Sequence, residues 1–234
     1  MTDLRITSVL IGTPRPFGPP GRTSTIASRY PVARPVAVGP DGFAGDQVAD
    51  TKNHGDADKA VHHYPRDHYT AWVEDLQPGA PAILNVVGAF GENLSTAGIT
   101  EADVCVGDTY RIGTALLQVS QARQPCWKLN VRFDTPDMAK RVQTTGRTGW
   151  YYRVLEAGEI GPRSAMTLVE RPQPDWSLAR ILHVLYHDML NREALAAIAD
   201  LPQLAAGWRR LAARRLETMA VEDWSERLGS KAPA

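Results

Sequence analysis

The sequence predicts a mainly β chain with added helices: a β-barrel over residues 1–171, then a small three-helix domain over 172–228. Three observations predict it. Before Arg171-Pro172-Gln173-Pro174, short apolar runs alternate with Gly and Pro punctuation rather than following a helical period. The 19 Gly and 17 Pro exceed average usage modestly, which favours many short strands over long helices. After that proline-rich break, apolar residues recur at three- and four-residue steps.

The expected strands span residues 5–11, 82–87, 104–112, 115–120, 150–155 and 166–170. Gly107-Asp108 and Gly113-Thr114 place turn chemistry between β-rich runs, which reads as a meander closing into a barrel. One helix is expected over 65–75, with Pro65 in its first turn and Tyr69, Trp72, Val73 and Leu76 on one face. In the tail, Leu178, Ile181, Leu182, Leu185 and Met189 form the stripe of a first helix. Asn191 caps a second through Ala199, and Pro202 opens a third through Met219. Leu204, Trp208, Leu211, Ala212 and Leu216 form the third stripe, leaving Arg209, Arg210, Arg214 and Arg215 for the remaining face. Helices this short need tertiary packing, so they are expected to pack together or on the barrel.

Length and charge narrow the function. The 234 residues balance 26 Lys+Arg against 26 Asp+Glu, which argues against binding nucleic acid through bulk phosphate attraction. No apolar run approaches the ~20 residues of a membrane helix, and no basic-then-apolar leader opens the chain. A cytoplasmic protein with reduced thiols and no membrane partner is expected. Two cysteines, Cys105 and Cys126, cannot make a four-cysteine zinc site or iron–sulfur cluster. Dinucleotide, Walker and Gly-x-Ser-x-Gly motifs are absent.

Two features can carry chemistry. His54, His62, His63 and His68 cluster, but His63 and His68 lie five apart, about 140° around a helix, a poor spacing for zinc. Their alternative role is hydrogen bonding to backbone or ligand. Cys126 follows Pro125 at a strand end between Arg123 and Lys128, where cations favour the thiolate that attacks or binds metal. Cys105, between Val104 and Val106, reads as a buried structural thiol.

The segment around Cys126 resembles the signature of the MOSC-domain family, named for the C-terminus of molybdenum cofactor sulfurases. Gly42-Phe43-Ala44-Gly45-Asp46, His54-Gly55 with Asp58-Lys59-Ala60-Val61, and the run from His63 to Tyr69 resemble its YiiM-like branch. The runs from Gly88 to Ser95 and from Gly146 to Tyr151 follow in the same order, and the helical tail matches that branch too. The resemblance spans roughly residues 25–226 and implies a MOSC core over about 30–170. Relatives read His-Gly-Gly-Pro-Asp where this chain has His54-Gly55-Asp56-Ala57-Asp58, which adds a carboxylate near the expected pocket.

The resemblance implies a molybdenum cofactor (molybdopterin) whose metal is ligated by Cys126, a soft thiolate suited to a metal already held by a dithiolene. It implies that His54, Lys59, Asn93, Gln121, Arg123, Lys128, Arg132 and Arg147 contact the cofactor, the cations serving its phosphate. The activity implied is reduction of small N-hydroxylated compounds, such as hydroxylaminopurines, to amines. No flavin or nicotinamide fingerprint is present, so electrons must come from a separate reductase. The arginine-rich third helix offers either a docking face for it or a solvated one. The family is also associated with pyridoxal phosphate and with sulfur transfer. A carrier using a Cys126 persulfide, and a hydrolase whose metal is held by His54, His62 and His63, are the rival readings. The oligomeric state stays open, a homodimer included.

Overall fold

The computed structural model describes residues 4–49 and 55–229. Eight strands build the main sheet: β1 (Ser8–Ile11), β2 (Tyr30–Pro31), β3 (Val61–His63), β4 (Leu94–Ser95), β5 (Thr109–Ile112), β6 (Ala115–Ala122), β7 (Trp150–Glu156) and β8 (Met166–Glu170). Their spatial order is β8-β5-β6-β7-β3-β4-β1-β2. Every neighbouring pair is antiparallel except β3 and β4, which run parallel through His63 and Leu94. The chain entering β1 pairs with the chain entering β8. Ile6 N–H donates to the Ser164 carbonyl at 3.0 Å, and Met166 N–H to that of Leu4 at 2.9 Å. These bonds bring the two sides of the curled sheet together, giving the barrel expected from the strand-rich half.

Among the described residues seven α-helices are added: α1 (Asp67–Asp75), α2 (Lys128–Arg132), α3 (Met138–Thr145), α4 (Leu178–Tyr186), α5 (Arg192–Asp200), α6 (Ala206–Thr218) and α7 (Ser225–Leu228). Ser177 caps α4 by accepting from Arg180 N–H, and Asn191 caps α5 by accepting from Ala194 N–H. The tail has no separate core. Leu178, Ile181, Leu185, Ile198 and Trp208 bury in one cluster with Val9, Leu94, Leu117, Val119 and Tyr152 of the barrel. A second cluster packs Tyr64, Trp72 and Phe90 against Leu129, Phe133 and Val142, with Tyr64 and Phe90 stacked at 3.9 Å. No helix among the described residues is long and apolar enough to cross a membrane.

Five expectations are corrected. Residues 82–87 are not a strand: Ala82–Asn85 is a 3₁₀ turn burying only Leu84, because a short apolar run carries no decisive period. The strand expected over 104–112 begins only at Thr109. Before it, Cys105 bridges to Ser177, and Leu178 N–H donates to the Val104 carbonyl at 2.8 Å. The first and third tail helices are shorter than expected: α4 ends at Tyr186, before Met189, and α6 starts at Ala206 rather than Pro202. Arg215 is not on a solvated face. It is 1% exposed, with Nη1 donating to the Leu185 carbonyl at 2.7 Å and Nε and Nη2 gripping Glu222.

The Arg215–Glu222 pair ties the end of α6 to the following loop. Burial pushes the Glu222 carboxyl up, but hydrogen bonds from Arg215 and the Trp224 indole outweigh it and hold it at about 2. A folded-state value below the ordinary 4.5 means that this stabilisation is fully present above pH 4.5 and lost as pH falls toward 2. Arg215→Ala should cost about 2–3 kcal/mol, below the ~3–5 kcal/mol of a fully buried broken pair, because Glu222 can rehydrate. The difference in melting temperature between the parent chain and Glu222→Gln should hold constant above pH 5 and shrink steadily below it. A difference independent of pH down to 2.5 would contradict the pairing.

Candidate active site

The ladder between β6 and β7 sets the site. Its register pairs Gln121 with Tyr151 and Ala122 with Trp150, with an irregularity between Val119 and Gln121. On the far side of β7, β3 places His62 opposite Tyr151 and His63 opposite Trp150. Side chains alternate between faces along a strand, so His62 and His63 part company. His62 opens into a pocket. His63 stays in the barrel wall, held by Tyr152 Oη at 3.1 Å and Thr96 Oγ1 at 2.8 Å and stacked on Trp150. Burial pushes the His63 imidazole down to about 3.

Past Ala122 the chain leaves the sheet and forms the turn that presents Cys126. Arg123 N–H donates to the Gly149 carbonyl at 2.9 Å, and the Cys126 carbonyl accepts from Leu129 N–H as α2 begins. The tail reaches over to clamp this turn. Arg227 Nη1 donates to the Pro125 carbonyl at 2.6 Å, and Trp127 N–H donates to the Arg227 carbonyl at 2.7 Å. The Cys126 thiol is left half-buried in the pocket wall.

Arg29, Lys59, His62, Arg123, Lys128 and Tyr151 line the same pocket. The acidic group among its lining residues is Asp46, paired with Arg29. Three buried polar atoms here have no partner among the described residues: Arg29 Nε, Arg123 Nη1 and His62 Nε2. Leaving a buried polar atom unsatisfied costs about 1–3 kcal/mol, more when charged, and all three atoms belong to residues that line one concavity. Burial and the neighbouring Arg123 hold the His62 imidazole well below its usual value, hence neutral.

The remaining expected contacts divide. Lys59, Arg123 and Lys128 meet around Cys126. Lys59 also pairs with Asp56 at 2.9 Å, so this carboxylate bears directly on a pocket cation. Asn93 lines the pocket, but its polar atoms are engaged. Nδ2 donates to the Leu10 carbonyl at 3.2 Å and to Asp46 Oδ2 at 2.9 Å, while Oδ1 accepts from His62 N–H at 3.1 Å. Its role is to hold the wall. Gln121 is buried outside the lining, its amide donating to Ala122 at 3.4 Å. Arg132 lies beside Glu92 and Tyr69, and Arg147 pairs with Asp75 at 2.5 Å and lines a separate cavity with His68 and Glu101. His54 lies outside the described residues. Among the described residues no group of three His, Cys, Asp or Glu side chains could hold a metal ion, so His62, His63 and His68 do not converge.

Residues 50–167 match the MOSC domain, and residues 176–218 match the YiiM-like 3-alpha helix domain. The chain belongs to the MOSC-domain family, in its YiiM-like branch. It is 38% identical over 213 residues to Protein YiiM of Escherichia coli (strain K12), covering 91% of this chain and 93% of that one. The crystal structure of YiiM from Geobacillus stearothermophilus shares 41% identity at a TM-score of 0.76, covering 91% of this chain and 99% of that one. A protein named Reductase from Gibberella moniliformis is 41% identical over 169 residues, 72% of this chain but 30% of its own length.

Within this MOSC site, sequence reasoning missed Arg29, Asp46 as its partner, and the Arg227 clamp. Arg29 and Arg227 sit in segments with no motif or period and reach the pocket and the Cys126 turn, respectively, only through the folded chain. Asn93 is the more testable element. Asn93→Ala should remove partners from His62 N–H and Asp46 together and cost about 2 kcal/mol in urea unfolding. The near-isosteric Asn93→Asp should cost at least as much, since a carboxylate oxygen would then face Asp46 and the Leu10 carbonyl. An unchanged urea midpoint for both would show that the clip is dispensable.

Proposed function

We propose that this MOSC protein is a molybdenum-cofactor-dependent oxidoreductase that reduces small N-hydroxylated compounds to amines. The observation that carries the reading is the placing of the Cys126 residue in one pocket lining with two arginines, Arg29 and Arg123, each of which keeps a buried nitrogen without a partner among the described residues. A soft sulfur ligand beside a cationic cradle is the donor set that a metal dithiolene with an anionic phosphate requires. The chain fits the group.

When bound, the cofactor supplies two-electron removal of oxygen from an N–OH group, with two protons completing an amine and water. The chain's own residues do the rest. Cys126 would hold the metal. Arg29 and Arg123 would bind the phosphate, bidentate where geometry allows, and Lys59 and Lys128 would add positive charge at the mouth. Tyr151 and His62, their rings packed at 4.9 Å, line the same pocket and would limit the access of water to its donors. Electrons would come from a separate reductase, since no flavin or nicotinamide motif is present in the sequence. The name of the fungal relative supports oxidoreductase chemistry.

Cys105 is the control. It is 3% exposed, and burial together with Asp108 pushes its thiol up, so it stays protonated. In a cofactor-competent host the parent chain should purify with molybdenum and pterin. Cys126→Ser should lose turnover of a hydroxylaminopurine to background, at least a hundredfold, while keeping part of the pterin. Cys105→Ser should lower the melting temperature and leave turnover per folded molecule nearly unchanged. Parental activity per molybdenum in Cys126→Ser would sink the assignment. A labile sulfane sulfur on Cys126 without molybdenum would favour the carrier reading instead.

A further inference from the structure

The Cys126 turn is held on both flanks by groups outside its own pocket. Upstream, Arg123 N–H donates to the Gly149 carbonyl at 2.9 Å, and Gly149 N–H donates to Glu101 Oε1 at 2.6 Å. Gly149 stands just before β7, and the Glu101 carboxylate supplies the partner that its backbone N–H requires. Glu101 is 4% exposed, and its other oxygen, Oε2, lies 2.6 Å from His68 Nε2. Its backbone carbonyl accepts from Ala179 N–H of α4 at 2.9 Å, so it stands where the barrel meets the tail. Burying a carboxylate is costly unless its oxygens are bonded, and here both are, which makes Glu101 a stiff anchor.

Downstream, Trp127 N–H donates to the Arg227 carbonyl and Arg227 Nη1 to that of Pro125. Arg227 Nη2 donates in turn to Gln143 Oε1 at 2.6 Å, and Gln143, on α3, is also 4% exposed. Glu101 and Gln143 line one cavity, which shares no lining residue with the pocket at Cys126. Each is two hydrogen-bonded steps from the turn, by separate routes. We infer that Glu101 and Gln143 are positioning residues for Cys126: Glu101 fixes the upstream flank of its turn through Gly149, and Gln143 the downstream flank through Arg227. The inference deepens the cofactor reading and rests on it only for the role of the sulfur so positioned.

Amide hydrogen exchange of the full chain, purified without cofactor, reads the two flanks separately. In Glu101→Ala the Arg123 amide should exchange about tenfold faster, the scale of one hydrogen bond, while the Trp127 amide stays near its parental rate. In Gln143→Ala the pattern should reverse. Glu101→Gln, which keeps an acceptor oxygen for Gly149 N–H, should restore the parental Arg123 rate. Both alanine variants should also speed alkylation of Cys126 by iodoacetamide severalfold, followed by peptide mass spectrometry. An Arg123 amide unchanged in Glu101→Ala, or faster only in step with the amides of β5 and α5, would overturn the inference. So would alkylation of Cys126 at the parental rate in both alanine variants. If Glu101→Ala fails to fold, His68→Phe takes its place, since it keeps a ring against Tyr64 and drops the bond to Glu101. A severalfold faster Arg123 amide is then expected, and an unchanged one would refute the upstream route. Absence of molybdenum from protein made in a competent host would instead defeat the cofactor reading and leave these rates intact.

Discussion

The Asn93 carboxamide joins three segments that are distant in sequence. It accepts from the backbone of His62 on β3 and donates to Leu10 on β1 and to the Asp46 carboxylate in the loop between. The backbone at 93 repeats the tie, with its N–H donating to His62 and its carbonyl accepting from Leu10. Parallel neighbours such as β3 and β4 share only one register pair here, so side-chain bonding supplies what the ladder lacks. Asp46, fixed in this way, pairs with Arg29 and orients that guanidinium along the pocket. One amide therefore determines where a pocket cation and the His62 ring can sit.

From that node the arrangement of charge follows. Buried guanidinium groups are costly unless paired or solvated, and Arg29 and Arg123 are only partly compensated. The sheet over-determines their positions, through Asp46 on one side and the Gly149 carbonyl on the other. Gly149 is required there. Its φ of +69° favours glycine, and a Cβ would lie 2.3 Å from the His63 carbonyl. Donors held before a ligand arrives need little reorganisation to receive it, which is the physical content of a preformed site.

The helical tail does two jobs by one packing arrangement. Its apolar stripes complete the barrel core, and the chain beyond α6 returns to the Cys126 turn, where Arg227 bonds the backbone on both sides of the cysteine. The Arg215–Glu222 pair helps to hold that return path in place. The tail is thus coupled to the pocket by hydrogen bonds, and its arginines are not equivalent: Arg215 is buried while Arg210 and Arg214 are exposed.

The sequence by itself determined what local pattern and residue chemistry encode. The short apolar runs of β6 and β7, the cap at Asn191, and the helical period after the proline break are short-range signals. Cys126 stood out because the residues that give it context, Arg123, Pro125 and Lys128, are its chain neighbours. The two-residue strands β2 and β4 carry too few residues for any period, and the run at 82–87 lacked one. Only the tertiary structure decided which cations share the pocket. Arg147 and Arg132 read as equals of Arg123, yet the fold turns one to Asp75 and the other toward Glu92, while bringing in Arg29 from almost a hundred residues away. Long-range contacts of single side chains leave no periodic trace, because their partners are set by sheet order and register rather than by the residues beside them.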